Sequence, residues 1–434
     1  MITRIEIDGF KSLRGFSLEL EPLTAVIGAN GVGKSNLFDA LQLLSRMGAG
    51  EKLTDAFKEG RGRILDQFSR GAEDAATRMS FAVEALLPTS VVDESGDTAE
   101  LGQTRVRYEV EIERVVLAPS GHEMLMIVRE RLAPIQPARD DWMARHPELR
   151  PFARYVAPEG SYFLQADERS SSHVSGAKVL TTVTSGRWHE SQLRAAASSG
   201  KESPHIFAFA VELRGFRVLH LEPSKLRLPS ERAAGATLAV DGSNLPTVLA
   251  AFPPTRRARI RADLADLVPG FRSFDVALIE DEFRIDAEFT DGRRMPARVL
   301  SDGTLRLLAL MTLLRGSRPG TLIAIEEPEN GIYPGSVRAL VEKLVALTVV
   351  GADLPPQVLL NSHSPAVVAA LHNRPDALVF ADMVRRGGQL YATRMRHVRR
   401  SEEPEDRGAR TVSVREIERI LDTARPAESP EAEP

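Results

Sequence analysis

The chain has 434 residues, a formal net charge of −4 and no cysteine. The lack of cysteine excludes disulfides, thiolate chemistry and zinc–thiolate sites. With 43% hydrophobic and 27% charged residues, no apolar run near the ~18 residues of a membrane helix and no signal peptide, the composition favours a cytoplasmic globular protein.

A glycine-rich turn near the N-terminus is the first chemical motif. Residues 28–35, GANGVGKS, match the phosphate-loop pattern G-x-x-x-x-G-K-[ST]. The apolar run 23–27 predicts a buried strand and residues 36–44 predict a helix, so backbone N–H groups and a helix N-terminus would face a polyphosphate. Lys34 would contact the β- and γ-phosphates, and Ser35 would offer its hydroxyl to Mg²⁺. A chance match in a glycine-rich turn is the alternative, which the flanking elements disfavour.

The middle of the chain reads as β-rich. Residues 79–87, 105–116 and 124–132 predict strands that, with residues 1–27, would form an antiparallel sheet beside a nucleotide-binding core. Residues 133–205 mix Pro, Ser and Gly and predict a partly mobile insertion. The elements predicted after it are helices over 207–216, 245–252 and 260–267, a strand over 217–221, and a hairpin of 273–279 with 283–289. No long heptad run indicates a coiled-coil arm.

Two glutamates follow a further buried strand, residues 321–325. Acids at the carboxyl end of such a strand fit an α/β ligand site. Beside a phosphate loop, Glu326 would hold Mg²⁺ and Glu327 would polarise the attacking water, since phosphoryl transfer depends on positioning and charge stabilisation. Without the phosphate loop, such a pair more often marks a solvated turn.

Two other polar turns complete the set. Ser301 and Gly303 open the predicted helix 305–314, where a hydroxyl and a helix N-terminus could bind an anion. Ser301 equally suits a plain N-cap. The predicted strand 358–362 is followed by His363, which could sense a γ-phosphate at the same sheet edge, although a lone histidine is usually structural.

These four segments, with IEIDGFKSL at residues 5–13, resemble the ATP-binding-cassette (ABC) type of ATPase. The similarity is to the soluble branch that contains RecF, the chromosome-maintenance ATPases and the overcoming-lysogenization-defect (OLD) proteins. DGSNL at 241–245 and SDGT at 301–304 resemble a group of bacterial predicted ATPases. The resemblance implies an α/β fold: an ABC-type P-loop nucleotide-binding core with an antiparallel β subdomain and a mixed α+β insertion.

The resemblance also implies residue roles. The Walker A loop, the next residue and the signature segment would bind ATP through Asn30, Gly31, Gly33, Lys34, Ser35, Asn36, Ser301 and Gly303. Ser35 and Glu326 would hold Mg²⁺, and Lys34, Glu327 as base and His363 as switch histidine would be catalytic. Residues 329–334 would form the D-loop. Glu326 stands where chromosome-maintenance proteins usually have aspartate, whereas glutamate is usual in the OLD-like branch. Gln67 is a candidate for the Q-loop glutamine, in a stretch with no clear strand.

The implied domain order is the N-terminal half of the ATPase core with the β subdomain over 1–132, the insertion over 133–240, the C-terminal half of the core over 241–423 and a disordered tail over 424–434. In this fold the signature segment lies on the far side of the lobe from its own phosphate loop. Two subunits would therefore pack head to tail around two ATP molecules. Only about 70 residues follow His363, too few for the Toprim nuclease domain of OLD proteins.

The expected function is a Mg²⁺-dependent ATPase whose dimer cycle engages DNA or gates an effector, such as a small nuclease acting in trans, in bacterial defence or DNA maintenance. An ATP-bound scaffold that hydrolyses slowly and holds a nuclease or toxin is the alternative, and Glu327 favours the enzyme because a scaffold needs no base there. The missing Q-loop and the β-rich insertion disfavour a transporter subunit. No membrane partner is expected.

Two basic clusters could contact duplex DNA. The first is Arg256, Arg257, Arg259 and Arg261, and the second is Arg385, Arg386, Arg394, Arg396, His397, Arg399 and Arg400. The alternative is a solvated surface, because arginine is the default cation of this chain (56 basic residues minus 8 lysines leaves 48) and acids follow at 402–406.

Overall fold

The computed structural model describes residues 1–58, 60–70, 75–93, 95–117, 119–167, 182–185, 189–193, 202–386, 390–399 and 411–413. Its strands are β1 (Ile2–Asp8), β2 (Phe16–Glu19), β3 (Leu23–Ile27), β4 (Arg78–Leu86), β5 (Ser90–Val92), β6 (Thr98–Glu100), β7 (Arg105–Leu117), β8 (His122–Pro134), β9 (Leu164–Asp167), β10 (Thr182–Ser185), β11 (Arg217–Leu219), β12 (Ser230–Glu231), β13 (Phe271–Ile279), β14 (Glu282–Phe289), β15 (Arg294–Pro296), β16 (Leu322–Glu326), β17 (Gln357–Ser362), β18 (Leu378–Arg386), β19 (Leu390–Arg399) and β20 (Thr411–Ser413).

The α-helices in these ranges are α1 (Lys34–Gly48), α2 (Leu53–Lys58), α3 (Asp141–Arg145), α4 (Pro204–Arg214), α5 (Pro223–Leu226), α6 (Leu245–Ala251), α7 (Pro254–Leu267), α8 (Asp302–Gly316), α9 (Pro334–Leu347) and α10 (Pro365–Ala370). Within the part of the chain that the structure describes, no helix combines the length and the apolar character needed to cross a membrane.

A central sheet carries the nucleotide-binding half of the fold, in the order β11-β16-β17-β3-β18-β19-β20. The strands from β11 to β18 are parallel, and β19 returns antiparallel to β18. All five residues of β3 are buried, as expected for a parallel strand covered on both faces. Its side chains alternate between two hydrophobic cores: Val26 belongs to the core that contains α1 and α4, and Ile27 to the core that contains α8 and α9.

A second, mostly antiparallel sheet has the order β10-β9-β8-β7-β4-β1-β2 and contains the three predicted strands of the middle region. The expectation that all of residues 1–27 belong to this sheet is wrong for β3. β1 and β2 pair there, but β3 pairs with β17 and β18 in the central sheet. Burial on both faces of β3 is the physical reason, since an edge position on the antiparallel sheet would expose one face.

Residues 133–240 are tied into both sheets. β8 extends past the expected boundary to Pro134 and pairs with β9, while α4 packs against α1 and β11 joins the central sheet. The division into 1–132, 133–240 and 241–423 stays a prediction. Part of the expected mobile insertion, including residues 168–181, and the whole tail 424–434 lie outside the described residues.

A small third sheet contains the predicted hairpin. β13 and β14 pair from Phe271 to Phe289 and turn at Glu280, whose φ is 56°. The helix expected from Ile260 begins six residues earlier, at Pro254. Proline suits the first position of a helix because its φ is already helical and its missing N–H would have no partner there.

Candidate active site

The phosphate loop joins β3 to α1 at the carboxyl edge of the central sheet. Gly31 and Gly33 have φ values of 81° and 89°, a conformation that L side chains rarely adopt. A Cβ at Gly33 would lie 2.0 Å from Thr393 Oγ1, whereas a Cβ at Gly31 would meet nothing within 4 Å. At position 31, a side chain is disfavoured only by the backbone conformation. At position 33, a side chain would also clash with Thr393 of β19.

A chain of four polar side-chain and backbone groups holds this loop. The Asn36 amide donates to Ser12 Oγ at 2.7 Å, and Ser12 Oγ lies 2.6 Å from Thr393 Oγ1. Thr393 Oγ1 in turn donates to the carbonyl oxygen of Val32 at 2.9 Å. Ser12 in the turn after β1 and Thr393 in β19 thus hold the phosphate loop through hydrogen bonds.

Lys34 is the first residue of α1 and is buried. Its Nζ donates hydrogen bonds to the carbonyl oxygens of Gly28 at 2.6 Å and Ala29 at 2.8 Å. Burial lowers the pKa of the Lys34 ammonium, while the charges of Glu327 and Glu329 oppose that change. The ammonium is held inside the loop by carbonyl oxygens, for which phosphate oxygens can be exchanged.

Glu326 ends β16 beside Asn361 of β17. Its Oε1 is buried and has no hydrogen-bond partner among the described residues. Two nitrogen-bearing side chains stay beyond hydrogen-bond distance: Arg61 Nη2 lies 3.7 Å from Oε1, and His220 Nδ1 lies 3.9 Å from Oε2. A buried oxygen left without a partner destabilises a fold by about 1–3 kcal/mol, so such an oxygen needs an explanation.

Glu327 has a left-handed backbone with φ of 46°, one of three non-glycine residues with positive φ among those described. Its N–H is directed at Asn361, to the carbonyl oxygen at 3.1 Å and to Oδ1 at 2.9 Å. Its Oε2 accepts a hydrogen bond from Asn330 Nδ2 at 2.6 Å, and its Oε1 lies 3.2 Å from His363 Nδ1. Backbone strain of this kind concentrates at functional sites.

The turn after β17 supports this arrangement. Ser362 donates a hydrogen bond to Glu329 Oε1, and the N–H of Ser364 donates to Ser362 Oγ at 3.0 Å. His363 Nδ1 lies 4.0 Å from Glu329 Oε1, farther than from Glu327. His363 is therefore a neighbour of Glu327 at the sheet edge rather than a buried core histidine, since 43% of its side chain is exposed.

These elements enclose a cavity of about 550 Å³. The structure brings the predicted Walker A and Walker B residues together in its lining: Asn30, Gly31, Gly33, Lys34, Ser35, Asn36, Glu326 and Glu327. The other lining residues come from the ends of β11, β16 and β17, from the loop after Glu327 and from α8. The volume lies within the roughly 300–1,000 Å³ of small-molecule sites.

Residues 23–369 match the protein family described as "AAA domain, putative AbiEii toxin, Type IV TA system". The chain belongs to this AAA-domain family. Together with the phosphate loop, membership identifies the protein as an ATPase with an ABC-type core. A short stretch of 79 residues is 34% identical to structural maintenance of chromosomes protein 1 of Schizosaccharomyces pombe, which is 17% of this chain and 6% of that protein.

The chain is similar to solved structures of SMC head domains. The SmcHead bound to the C-winged helix domain of ScpA has a TM-score of 0.50 at 14% identity, over 91% of this chain and 98% of that chain. The SMC head domain from Thermotoga maritima has a TM-score of 0.44 at 13% identity, over 92% and 99% of the two chains. The expected α/β fold with an ABC-type core and an antiparallel sheet is confirmed.

In this AAA-domain protein the predicted signature segment does not line the chain's own cavity. Ser301 caps α8, since its Oγ accepts the N–H of Thr304 at 3.2 Å. Gly303 packs against the loop after Glu327, where a Cβ would lie 2.4 Å from the carbonyl oxygen of Gly331. The capping function weighed from the sequence is present, and neither Ser301 nor Gly303 is among the residues that line the cavity.

Three residues of the site were assigned no role from the sequence. Asn361 and His220 each lie one residue before the end of a predicted strand, 358–362 and 217–221, so the rule that ligands gather at the carboxyl ends of parallel strands could have found both. Arg61, whose Nη2 donates to the Ser35 carbonyl oxygen at 3.0 Å, follows α2 without any such signal. The Q-loop candidate Gln67 is buried elsewhere, with Nε2 donating to the Phe57 carbonyl oxygen at 2.7 Å.

The late basic cluster is largely engaged by the protein itself. Arg394 and Arg396 both pair with Asp382, and Arg385 lies over the ring of Tyr391. Burial lowers the pKa of His397. Arg400 lies outside the described residues, and Arg386 and Arg399 are described through their backbone alone.

The earlier cluster lies on α7. Arg256 packs over the ring of Phe252 at 4.8 Å, and Arg261 Nε donates to the carbonyl oxygen of Phe274 at 2.9 Å. Arg259 is exposed to solvent. The guanidinium groups of this cluster are thus only in part tied to the fold, and DNA contact through it stays a prediction.

Proposed function

We propose that this ATPase hydrolyses ATP with Mg²⁺ at the interface of a head-to-tail homodimer and uses the cycle to engage duplex DNA or to gate an effector in trans. The effector class is a small nuclease or toxin, in bacterial defence or DNA maintenance. The observation that carries the proposal is the geometry of Glu327, whose backbone is strained and whose carboxylate, beside the phosphate loop, accepts a hydrogen bond from Asn330 and lies 3.2 Å from His363 Nδ1.

Magnesium fits the residues present. Glu326 Oε1 is buried without a hydrogen-bond partner among the described residues, and Ser35 lines the same cavity. Carboxylate and hydroxyl oxygens are the ligands that Mg²⁺ takes together with nucleotide phosphates. Glu326 and Ser35 would hold the ion, which when bound neutralises charge that develops on the phosphates. Arg61, 3.7 Å from Glu326 Oε1, supplies positive charge to the same carboxylate.

The protein's own groups account for the remaining requirements of phosphoryl transfer. The Lys34 ammonium exchanges its two loop carbonyls for oxygens of the β- and γ-phosphates, and the N-terminus of α1 adds partial positive charge. The Glu327 carboxylate orients the attacking water and accepts its proton. Asn330 and His363 fix that carboxylate, so a general base contribution of about 10²–10⁴-fold depends on all three.

The position of Ser301 and Gly303 supports the dimer. Both belong to the first turn of α8 or its cap, yet neither lines the cavity of its own chain. The N-terminus of this 15-residue helix is suited to an anion. In a two-fold dimer, each α8 would meet the nucleotide held by the other copy.

Mixing two inactive variants tests this arrangement. Lys34→Ala removes the phosphate-loop cation, and Ser301→Arg blocks the signature segment, so each pure variant should lose turnover. An equal mixture forms mixed dimers with one intact composite site, and about a quarter of wild-type turnover should return. If the mixture stays as inactive as its components, each chain does not depend on its partner's α8 and the head-to-tail model fails.

The partner is tested with Glu327→Gln, which should bind ATP and accumulate as a dimer measurable by light scattering. Wild-type turnover is compared with and without linear duplex DNA, and Lys34→Ala is the inactive control. Stimulation by DNA favours direct DNA engagement. Tight ATP binding with negligible turnover, with or without DNA, would favour the ATP-bound scaffold that holds a nuclease or toxin. An unchanged mass with and without ATP would contradict a dimerisation switch.

A further inference from the structure

A second cavity of about 210 Å³ lies at the edge of the central sheet opposite to the nucleotide cavity. Arg217, the first residue of β11, and Thr321, immediately before β16, line it together with Arg318, which follows α8. β11 and β16 run parallel from this cavity to the nucleotide cavity. At about 3.3 Å per residue, these strands of three and five residues separate the two cavities by roughly 10–17 Å.

Neither arginine in this cavity has a carboxylate partner among the described residues. Arg318 Nη2 donates one long hydrogen bond, to the carbonyl oxygen of Val211 at 3.3 Å. The half-buried side chain of Arg217 has no hydrogen bond or ion pair to any residue that the structure describes. Arg315, only three residues before Arg318, instead forms two hydrogen bonds with Asp263. Two guanidinium groups that share one cavity repel each other, and an anion between them would remove that repulsion.

Burial and then the charge of Arg318 lower the pKa of the Arg217 guanidinium. This lowered pKa agrees with the geometry, because burial and the neighbouring Arg318 both disfavour a positive charge on Arg217. No aspartate or glutamate is among the residues that line the cavity. The positive charge of Arg217 is therefore not neutralised by any side chain that the structure describes.

The hydroxyl groups that line the cavity also favour an anion as its ligand. Thr312 and Ser317 donate to the carbonyl oxygens of Leu308 and Leu313 and have no further hydrogen to give. The hydroxyl of the buried Thr321 makes no hydrogen bond to any described residue and can therefore donate into the cavity, as can that of the exposed Thr237. The available side-chain donors are thus two guanidinium groups and two hydroxyls, of which the Thr321 hydroxyl is buried.

We propose that this cavity is a second anion site, which binds one phosphate ion between Arg217, Arg318 and Thr321. Its volume of about 210 Å³ is below the roughly 300–1,000 Å³ of sites for whole organic ligands, so a single tetrahedral oxyanion suits it. Guanidinium groups bind phosphate through paired, charge-assisted hydrogen bonds. The site is independent of the proposed dimer and of its partners.

The test is a calorimetric titration with inorganic phosphate, made in a Lys34→Ala background so that the phosphate loop contributes less. Adding Arg217→Gln and Arg318→Gln should weaken phosphate binding by about tenfold or more, because charge-assisted hydrogen bonds are lost. The matched control adds Arg293→Gln and Arg338→Gln, which remove the same charge from two exposed ion pairs. It should keep the affinity within about twofold.

Thermal unfolding provides a second measurement on the same proteins. Phosphate should raise the melting temperature of the Lys34→Ala protein more than chloride at equal ionic strength, and this difference should vanish with Arg217→Gln and Arg318→Gln. Without phosphate, these two changes should not lower the melting temperature, since they relieve repulsion. Thr321→Val keeps both charges and should weaken binding on its own. Equal phosphate affinity in all variants, or no effect beyond that of chloride, would overturn the proposal.

Discussion

Two glutamates in the two large sheets of this protein each have a side-chain oxygen that is shielded from solvent, and these oxygens differ in their hydrogen bonds. Glu130 in β8 accepts hydrogen bonds from the Tyr108 hydroxyl at 2.7 Å, the Ser191 hydroxyl and the N–H of Gln192 at 2.7 Å. Glu326 at the end of β16 has a buried Oε1 without a hydrogen-bond partner in the described part of the chain.

The difference separates a structural carboxylate from one that is available to a ligand. Glu130 is fully enclosed and fastens the segment 189–193 onto the antiparallel sheet. Glu326 opens into the cavity of the phosphate loop, where its Oε1 accepts no hydrogen bond from a described residue and is adjacent to ligand space. Burial alone would rank Glu130 first as a functional candidate, whereas hydrogen-bond satisfaction ranks Glu326 first.

The largest expected effect comes from Glu326→Gln. The change removes the proposed Mg²⁺ ligand, so ATP turnover should fall by about 10³-fold, the scale seen when a charge-stabilising group at a reacting centre is lost. Thermal stability should not fall, because Oε1 makes no hydrogen bond that the substitution could break. Turnover assays and unfolding on the same preparation check both halves. If Glu326→Gln kept wild-type turnover or lost much of its stability, Glu326 would not differ from Glu130 in the way described above.

The converse change is Glu130→Leu. It leaves the Tyr108 hydroxyl, the Ser191 hydroxyl and the Gln192 N–H without an acceptor, so the free energy of unfolding should fall by about 3 kcal/mol. Turnover per folded molecule should stay within about twofold of wild type, since Glu130 lies outside the nucleotide cavity. Urea unfolding and low-temperature assays measure the two quantities. A selective loss of turnover would mean that the antiparallel sheet acts on the site.

The next prediction concerns the stability of the phosphate loop, on the nucleotide side of the comparison. Gly33→Ala should destabilise the protein by about 2 kcal/mol more than Gly31→Ala, because both have strained φ but only Gly33 faces Thr393 at 2.0 Å. Thr393→Ala combined with Gly33→Ala should recover part of this loss. Denaturant unfolding of wild type, Gly33→Ala, Thr393→Ala and the double variant gives the coupling between the two sites, and Gly31→Ala is measured beside them. Equal losses for the two glycine variants would show that the loop can move away from β19.

The nucleotide side is also the part of the molecule that the sequence predicts well. The strand, glycine turn and helix around residues 23–44 depend on neighbours in sequence, and the hairpin from Phe271 to Phe289 is equally local. Residues 1–27 were all predicted to lie in the antiparallel sheet, whereas β3 belongs to the central sheet. Local patterns do not show this, because β3 pairs with β17, more than 300 residues away. Roles carried over by resemblance for Ser301, Gly303 and His363 stay predictions.

The Glu130 cluster could not have been found from the sequence. Its acceptor and the Ser191 donor are 61 residues apart, and no pattern of residue types marks their meeting. Arg61 is similar, because its contacts with Ser35 and Asp39 depend on how the segment after α2 folds back onto α1. Side-chain hydrogen bonds across long loops are decided by tertiary packing, which periodicity and turn signals do not report.

The smallest expected effect is the pH dependence of stability at Glu130. Burial raises the pKa of its carboxyl group, although its hydrogen bonds oppose the shift. A carboxyl group with a raised pKa in the folded state contributes stability that is complete below its unfolded pKa and is lost as the pH rises through its folded value.

Wild type should therefore lose stability relative to Glu130→Gln as the pH rises above the ordinary glutamate range, because the amide cannot ionise. Urea unfolding of both proteins at several values between pH 5 and pH 8, roughly the span in which most proteins are stable, measures this difference. A difference that is constant with pH would show that Glu130 is ionised throughout, with its three donors compensating fully for burial.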